Sequence, residues 1–547
     1  MVVKVTLSDL LPQILTHILL HLPFTLVVTC RRINRHLQAH ISTSTRLQYY
    51  IHLGIYGLVD NPLCALPIPE RLDQLLTRRR RWEDFDLDFS QHIEVPFQFR
   101  SSDTKLTPGV FSAIAGSEES HYIRVPSVPD QGVKWRQTPS ENKIISPGAC
   151  VYEHDLHIIV TAQPIIIDAS GAGSRITHQV QVHLNRLSTG EPHSDAPQVT
   201  ISFETHEEFG DPRILVECAG DNLVLTLRDR ATRNKPKDQV YVYGWKTGEL
   251  KLRLSAPFRA HLHALYLTTD IFLLPNSQTG ELEYWRIPQS ASESTSHQPF
   301  FILSLPCLRS GSTFRSIDSR AEPNPGIQPT DPSKPFYTDP HSAIAVFMVV
   351  IETAGFISPS NFILFVHRSS LVEYIDKFSA FTSRDDRPKA VPYVEWGPPV
   401  CRWFEANSMD WLATTFGQTY ITPPKGEPGG EPITLLDFNP IAVARAVAAE
   451  KHRLEAKGSD DDGRGTIRNE GKTRTEGTRG VVTQTMDPLN GPDGCFENTI
   501  YSSLPYTVRS SRNKYSFDEL LLDEEGILGI LMSSRERIEG IQVLHYG

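Results

Sequence analysis

Val182-His183-Leu184-Asn185-Arg186-Leu187-Ser188-Thr189-Gly190-Glu191 is matched, from position 182 to position 240, by Val240-Tyr241-Val242-Tyr243-Gly244-Trp245-Lys246-Thr247-Gly248-Glu249. The internal spacing of the two units is identical. In each, a β-rich run leads into Thr-Gly-Glu. Glycine takes positive φ without strain, so the triplet suits a turn between strands. Thr279-Gly280-Glu281 is a third turn of the same kind. Repeated strand units with such turns predict a β-propeller. The repeat interval shortens from about 58 to about 32 residues, so a clean WD-type array is not expected. The reading is an irregular β-propeller, with a sandwich or an irregular stack of sheets as the open alternative.

Outward from the repeat, short β-rich runs alternate with turn clusters. They fall at residues 156–160, 214–216, 223–225, 250–254, 271–274, 282–287, 300–303, 343–351, 362–366, 371–375, 515–522, 526–531 and 538–545. In a propeller the last of these pairs with a strand from about residues 90–115 and closes the ring. Two insertions interrupt the runs. Residues 318–341 are polar and Pro-rich; residues 457–494 are almost free of apolar side chains and are expected to be disordered. A helix is expected over 440–456, capped by Asn439.

The N-terminus has a different texture. Leu10, Leu11, Ile14, Leu15, Ile18, Leu19 and Leu22 have helical spacing and form one broad apolar stripe, with Pro12 near the start and Ser8 or Asp9 as cap. A second helix is expected over 26–41, with Leu26, Cys30, Ile33, Leu37 and Ile41 on one face. A third follows Ser42-Thr43-Ser44, and a fourth runs from Pro69 into Arg78-Arg79-Arg80-Arg81-Trp82. The expected organisation is multidomain: a small all-α module at 1–42, a helical extension at 43–90, and a large mainly-β domain at 91–547.

Leu11-Pro12, Ile14-Leu15, Ile18-Leu19, Leu22-Pro23 and then Cys30-Arg31-Arg32-Ile33-Asn34 resemble an F-box. Leu47-Gln48-Tyr49, Ile51, Leu53, Gly57, Asp60, Glu70-Arg71-Leu72 and Trp82 resemble the segment after the F-box in a large group of fungal F-box proteins. Ser502-Ser503-Leu504-Pro505-Tyr506 and Asp523-Glu524-Glu525-Gly526 resemble the C-terminal part of the same group. The gap from Pro12 to Cys30 is several residues shorter than that family usually shows. The resemblance implies the substrate-recognition subunit of a Skp–cullin–F-box ubiquitin ligase. Leu11, Pro12, Ile14, Leu15, Ile18, Leu19, Leu22, Cys30 and Ile33 would bind the Skp-family adaptor and, through it, cullin. The β-rich domain would hold a target protein. The alternatives are an F-box scaffold outside ubiquitin transfer and an enzyme on a propeller scaffold.

The composition narrows the partners. A net charge of −10 argues against general nucleic-acid binding. No apolar run reaches membrane-spanning length; residues 343–351 are far too short. Seven scattered cysteines without a CxxC pair fit free thiols in a cytosolic or nuclear protein. No enzyme signature, cofactor motif or metal site is recognised. His17 and His21 are four apart but have no third ligand in sequence; His154, Asp155 and His157 read as a loop cluster. Arg78–Arg81 read as a solvated helix end, favourable against the helix dipole, rather than as a nuclear import signal. Gly171-Ala172-Gly173-Ser174 reads as a turn, and Glu207-Glu208 and Asp385-Asp386 as polar loops. The arginine-bearing loop 228–237 is a candidate reader of acidic or phosphorylated motifs.

Overall fold

Val182 and Leu184 meet Tyr241, Tyr243 and Trp245 in one buried cluster, so the two halves of the repeat pack face to face on adjacent sheets. Strand alternation puts these side chains on one face. The chain is seen here as a computed structural model that describes residues 10–547, apart from 100–103, 147, 152–153, 170–172, 206–207, 232–234, 291–297, 327–330, 379–387, 407–411, 459–478, 483–486, 490–493 and 534–536.

Seven antiparallel sheets follow one another, at residues 104–139, 143–204, 212–256, 265–304, 312–406, 415–515 and 519–545. Every junction between consecutive sheets holds buried apolar side chains. Tyr122 meets Leu187 between blades 1 and 2, and Val242 meets Phe272 between blades 3 and 4. Leu273 and Phe347 share the junction of blades 4 and 5, and Phe365 and Tyr420 that of blades 5 and 6. Leu435 and Leu522 join blades 6 and 7, and Val543 and Phe111 join blade 7 to blade 1. The ring is closed, and the fold is a seven-bladed β-propeller behind a small N-terminal helical region. The closing strand is Ile538–His545, which lies between Gly526–Met532 and Phe89–Glu94. The N-terminal strand thus completes the last blade as its outermost strand and covers the free edge of Ile538–His545.

The uneven repeat has a structural cause. The Gly190 and Gly248 turns join the third and fourth strands of blades 2 and 3, and both glycines have positive φ. In each, the threonine hydroxyl accepts the N–H of the following glutamate, Glu191 to Thr189 at 3.2 Å and Glu249 to Thr247 at 3.3 Å. The Gly280 turn joins the second and third strands of blade 4, at the opposite rim. There Asn276 Oδ1 accepts from Gln278 and Thr279 instead.

Two expected strands are corrected. Residues 371–375 lie in helix α6 (Arg368–Phe378), because Leu371, Tyr374 and Ile375 bury together at helical spacing. Residues 515–522 split into the last residue of Tyr506–Tyr515 and the whole of Glu519–Leu522. Helix α7 is Tyr393–Val400, and α8 is Pro440–Gly458. Asn439 Oδ1 caps α8 by accepting from Ile441 and Ala442 at 2.9 and 3.0 Å, as the sequence predicts. The expected disorder at 457–494 falls largely outside the described residues. So do Glu207, Asp385-Asp386 and Gly171-Ala172.

Deleting residues 539–547 leaves Phe89–Glu94 without a partner and one edge of Gly526–Met532 unpaired. The truncated chain is expected to lose the cooperative thermal transition of the full chain, as followed by circular dichroism. An unchanged transition would contradict ring closure by this strand.

Candidate functional site

The N-terminal helices are α1 (Pro12–Leu20), α2 (Phe24–Cys30), α3 (Arg35–Thr43), α4 (Thr45–Tyr56) and α5 (Ile68–Asp84). Pro12 opens α1, where its missing N–H costs nothing. Ser8 and Asp9 lie outside the described residues, and the cap position is Leu11. Leu15 and Leu19 turn inward and join Val27, Leu37, Ile41, Leu47 and Ile51 in a small core. The helix expected over 26–41 is broken at residues 31–34. Asn34 adopts an extended backbone, and its Oδ1 accepts from Leu37 N at 2.8 Å, which starts α3 afresh. Ile33 is thereby left outside, and Leu26 is exposed as well.

Of the nine residues expected to meet an adaptor, five lie on the surface: Leu11 (65% exposed), Pro12, Ile14, Ile18 and Ile33. Leu22 and Cys30 are half-buried, and Leu15 and Leu19 belong to the module's own core. Leu11, Ile14 and Ile18 share one face of α1 by their spacing. Leu26 and Val28 on α2 extend the apolar exposure. Among the described residues, six of the nineteen exposed large hydrophobic side chains therefore fall within residues 11–33. Such a concentration is the mark of an interaction surface.

The rest of the helical region is fixed to the propeller. It sits on the rim that carries the turns between first and second strands. Leu58–Asp60 pairs with Phe336–Thr338 in the insertion that leaves blade 5. Asp60 Oδ1 accepts from Tyr49 and Arg71, both at 2.8 Å, and Asn61 Nδ2 donates to the carbonyls of Asp331 and Lys334. Gly57 ends α4 at φ +66°, and a Cβ there would strike Gln418 and Ser342. Trp82 packs on Tyr546, ring centroids 4.5 Å apart. Many of the residues that carry the resemblance beyond the F-box are thus residues of this joint.

The arginine run at 78–81 is corrected from a solvated helix end at Arg78, Arg79 and Arg81, while Arg80 is exposed as expected. Arg78 donates to the Glu524 carbonyl and lies over Phe336. Arg81 pairs with Asp88 at 2.6 Å. Arg79 reaches Asp437 Oδ2 at 3.3 Å, and Arg509 of blade 6 pairs with the same oxygen. Burial alone would raise the Asp437 pKa, but Arg509 and Arg79 outweigh it and hold the carboxyl below its ordinary range. That stabilisation is present above the unfolded carboxylate pKa near ~3.9 and is lost as pH falls through the lower folded value.

The remaining candidates have structural partners. His17 and His21 are exposed neighbours, Nε2 to Nε2 at 3.4 Å. His154 packs edge-on to Trp245, and buried His157 is pushed down to about 4 by desolvation. Asp155 accepts from Ser188 N at 2.8 Å, beside the Gly190 turn. No group of three or more His, Cys, Asp or Glu side chains converges as a metal site among the described residues. Arg228 is half-buried; burial lowers its pKa while Asp238 and Asp318 oppose the shift. Near the axis, Lys105 of blade 1 reaches Glu217 of blade 3 at 3.2 Å. Glu322 is buried in the insertion, 3.6 Å from Arg320. Desolvation pushes it up to about 7 against the pull of Arg320.

No protein-family model matches the chain, and no curated protein matches it. Solved structures with some likeness include the WD40 domain of Toxoplasma gondii coronin, at 9% identity over 84% of this chain and 87% of that one, TM-score 0.32. The C-terminal WD40 domain of Sif2 aligns at 10% identity over 83% and 99%, TM-score 0.31. A functionally unknown protein from Desulfotomaculum acetoxidans aligns at 9% identity over 63% and 84%, TM-score 0.28. The propeller and its blade count rest on the strand order rather than on these likenesses.

Two outcomes test the electrostatics. Asp437→Asn leaves two buried guanidinium groups around an uncharged partner, a change expected to cost about 3–5 kcal/mol. Native-state proteolysis of residues 12–84 should then speed up at least about a hundredfold. Glu322 has a raised folded pKa, so its contribution is full below the unfolded value and is lost as pH rises through about 7. Glu322→Gln should therefore gain thermal midpoint relative to the parent between pH 5 and pH 8. A constant difference would contradict the assignment.

Proposed function

We propose that this chain is a protein-interaction subunit that docks a Skp-family adaptor through its N-terminal helices and holds a target protein on its propeller, as the substrate receptor of a Skp–cullin–F-box ubiquitin ligase. The observation that carries the reading is the outward apolar face of α1, formed by Leu11, Ile14 and Ile18, with Ile33 exposed at the turn before α3. An amphipathic helix that turns Leu15 and Leu19 into its own module and still exposes such a face is suited to a helical partner. The joint to the propeller supports the same reading. A receptor holds its target at a set position relative to the ligase, and a fixed mount raises the effective concentration of target lysines more than a loose tether does. The chain itself then needs no chemistry.

Burying a Leu or Ile side chain contributes about 1.5–3 kcal/mol. The triple variant Leu11→Ala/Pro12→Ala/Ile14→Ala changes exposed positions only. It is expected to keep the thermal midpoint of the parent and to lose at least about a hundredfold in affinity for a fungal Skp-family adaptor, measured by titration calorimetry. Leu15→Ala is the contrasting control, expected to destabilise the module by about 2–5 kcal/mol. Equal binding by parent and triple variant, or no binding by the parent, would contradict the proposal. Adaptor binding without any change in target turnover would favour a scaffold outside ubiquitin transfer.

A further inference from the structure

Four arginines gather on the propeller rim opposite the helical region, beside the crevice between blades 3 and 4. Arg213 stands near the start of the first strand of blade 3. Arg228 is near the end of the second strand, and Arg230 is in the loop that follows. Arg259 lies in the connector from blade 3 to blade 4, over the ring of Phe258. Arg213 and Arg228 are direct cross-strand partners. The next pair, Ile214 and Leu227, turns into the junction with blade 2, so the two arginines face the other way, towards blade 4. Arg228 also feels the charges of Arg230 and Arg259.

Like charges directly opposite on two strands destabilise the pair unless a counter-charge meets them. Among the described residues, no side-chain nitrogen of Arg213, Arg228, Arg230 or Arg259 makes a hydrogen bond or an ion pair, and the Nε atoms of Arg213 and Arg259 are buried in that state. The carboxylates around them are committed elsewhere. Asp229 accepts from the backbone N–H groups of Gly210, Asp211 and Ala231, at 3.1, 2.8 and 3.1 Å. Asp211 pairs with Lys143 at 3.1 Å, and Asp318 with His263 at 2.5 Å. Asp238 is buried; one carboxylate oxygen accepts from His261 N at 3.0 Å, and the other has no hydrogen bond. Asp238 and Asp318 act on Arg228 through space without forming an ion pair. Set against the four guanidinium groups, these two carboxylates leave an excess of two positive charges.

We propose that this arginine cluster binds a phosphate monoester. A guanidinium fork meets two oxygens at once, so a carboxylate is satisfied by a single arginine. A phosphate monoester carries three terminal oxygens and a charge of about −1.5 to −2 at pH 7, and it can meet several forks together. It also brings to Arg213 and Arg228 the negative charge that their register lacks. Arg228 is half-buried, where charge-assisted hydrogen bonds are less screened than at an open surface. The inference stands independently of adaptor docking, since the helical region occupies the other rim.

The test is titration calorimetry of the full chain at fixed ionic strength with four probes: acetyl-Gly-phosphoserine-Gly-amide, its serine counterpart, its glutamate counterpart, and inorganic phosphate. The glutamate tripeptide keeps a negative charge and removes the third oxygen. The expected result is at least tenfold tighter binding of the phosphoserine tripeptide than of the glutamate or serine tripeptide. Arg228→Gln should weaken the phosphoserine tripeptide at least tenfold. Arg230→Gln, at an exposed position, is a second variant should the first unfold, and should weaken it at least threefold. Tighter binding of the phosphoserine tripeptide than of inorganic phosphate identifies a modified protein as the source of the phosphate; equal binding of both identifies a small phosphate compound. Equal binding of the glutamate tripeptide, unchanged affinity in the folded variants, or no binding of any phosphate probe at millimolar concentration would overturn the inference.

Discussion

One buried carboxylate ties the molecule together. Asp437 Oδ2 meets Arg79 from the helical region and Arg509 from blade 6. Asp437 Oδ1 accepts from Asn439 N, while the side chain of Asn439 caps α8 and donates to the Ile55 carbonyl of α4. A charge this deep persists only because two guanidinium groups offset its desolvation. Removal of Asp437 takes from both guanidinium groups the carboxylate they share. Helices, blade 6 and α8 therefore hold one relative position, and the Asp60–Arg71–Tyr49 set makes a second seam beside it.

That joint explains what the N-terminal apolar stripe can do. A free amphipathic helix would fold its apolar face onto the nearest sheet. Here α4 and α5 occupy the propeller rim, and α1 is held by Leu15 and Leu19 on the module's own core. The opposite face, with Leu11, Ile14 and Ile18, has no surface left to cover it within the described residues. Rigidity at the joint and exposure at the tip arise from the same packing. The exposed face is thus part of a fixed body rather than the end of a tether.

The propeller was legible where local chemistry decides structure. The Thr-Gly-Glu turns and the alternating runs depend on neighbours in sequence, whereas the closing strand follows from the ring's need to close and pairs with Phe89–Glu94 far away in the chain. The irregular interval misled because Gly280 turns at the opposite rim from Gly190 and Gly248. Residues 371–375 misled because Leu-Val-Glu-Tyr-Ile fits a strand and a single helical turn equally well. The arginine run was misread since the dipole argument considers one helix alone, whereas the partners of Arg78 and Arg79 lie hundreds of residues away. For the candidate site, the stripe on α1 was legible but its division was not. Which of Leu11, Ile14, Leu15, Ile18 and Leu19 faces inward depends on α2 to α4, and on the break that Asn34 imposes.

The most direct measurement is hydrogen–deuterium exchange of the full chain with and without a Skp-family adaptor at saturating concentration. The account predicts slowed exchange confined to residues 12–34, with the propeller blades and the joint unchanged. Unchanged exchange in residues 12–34, or protection confined to the propeller, would contradict it.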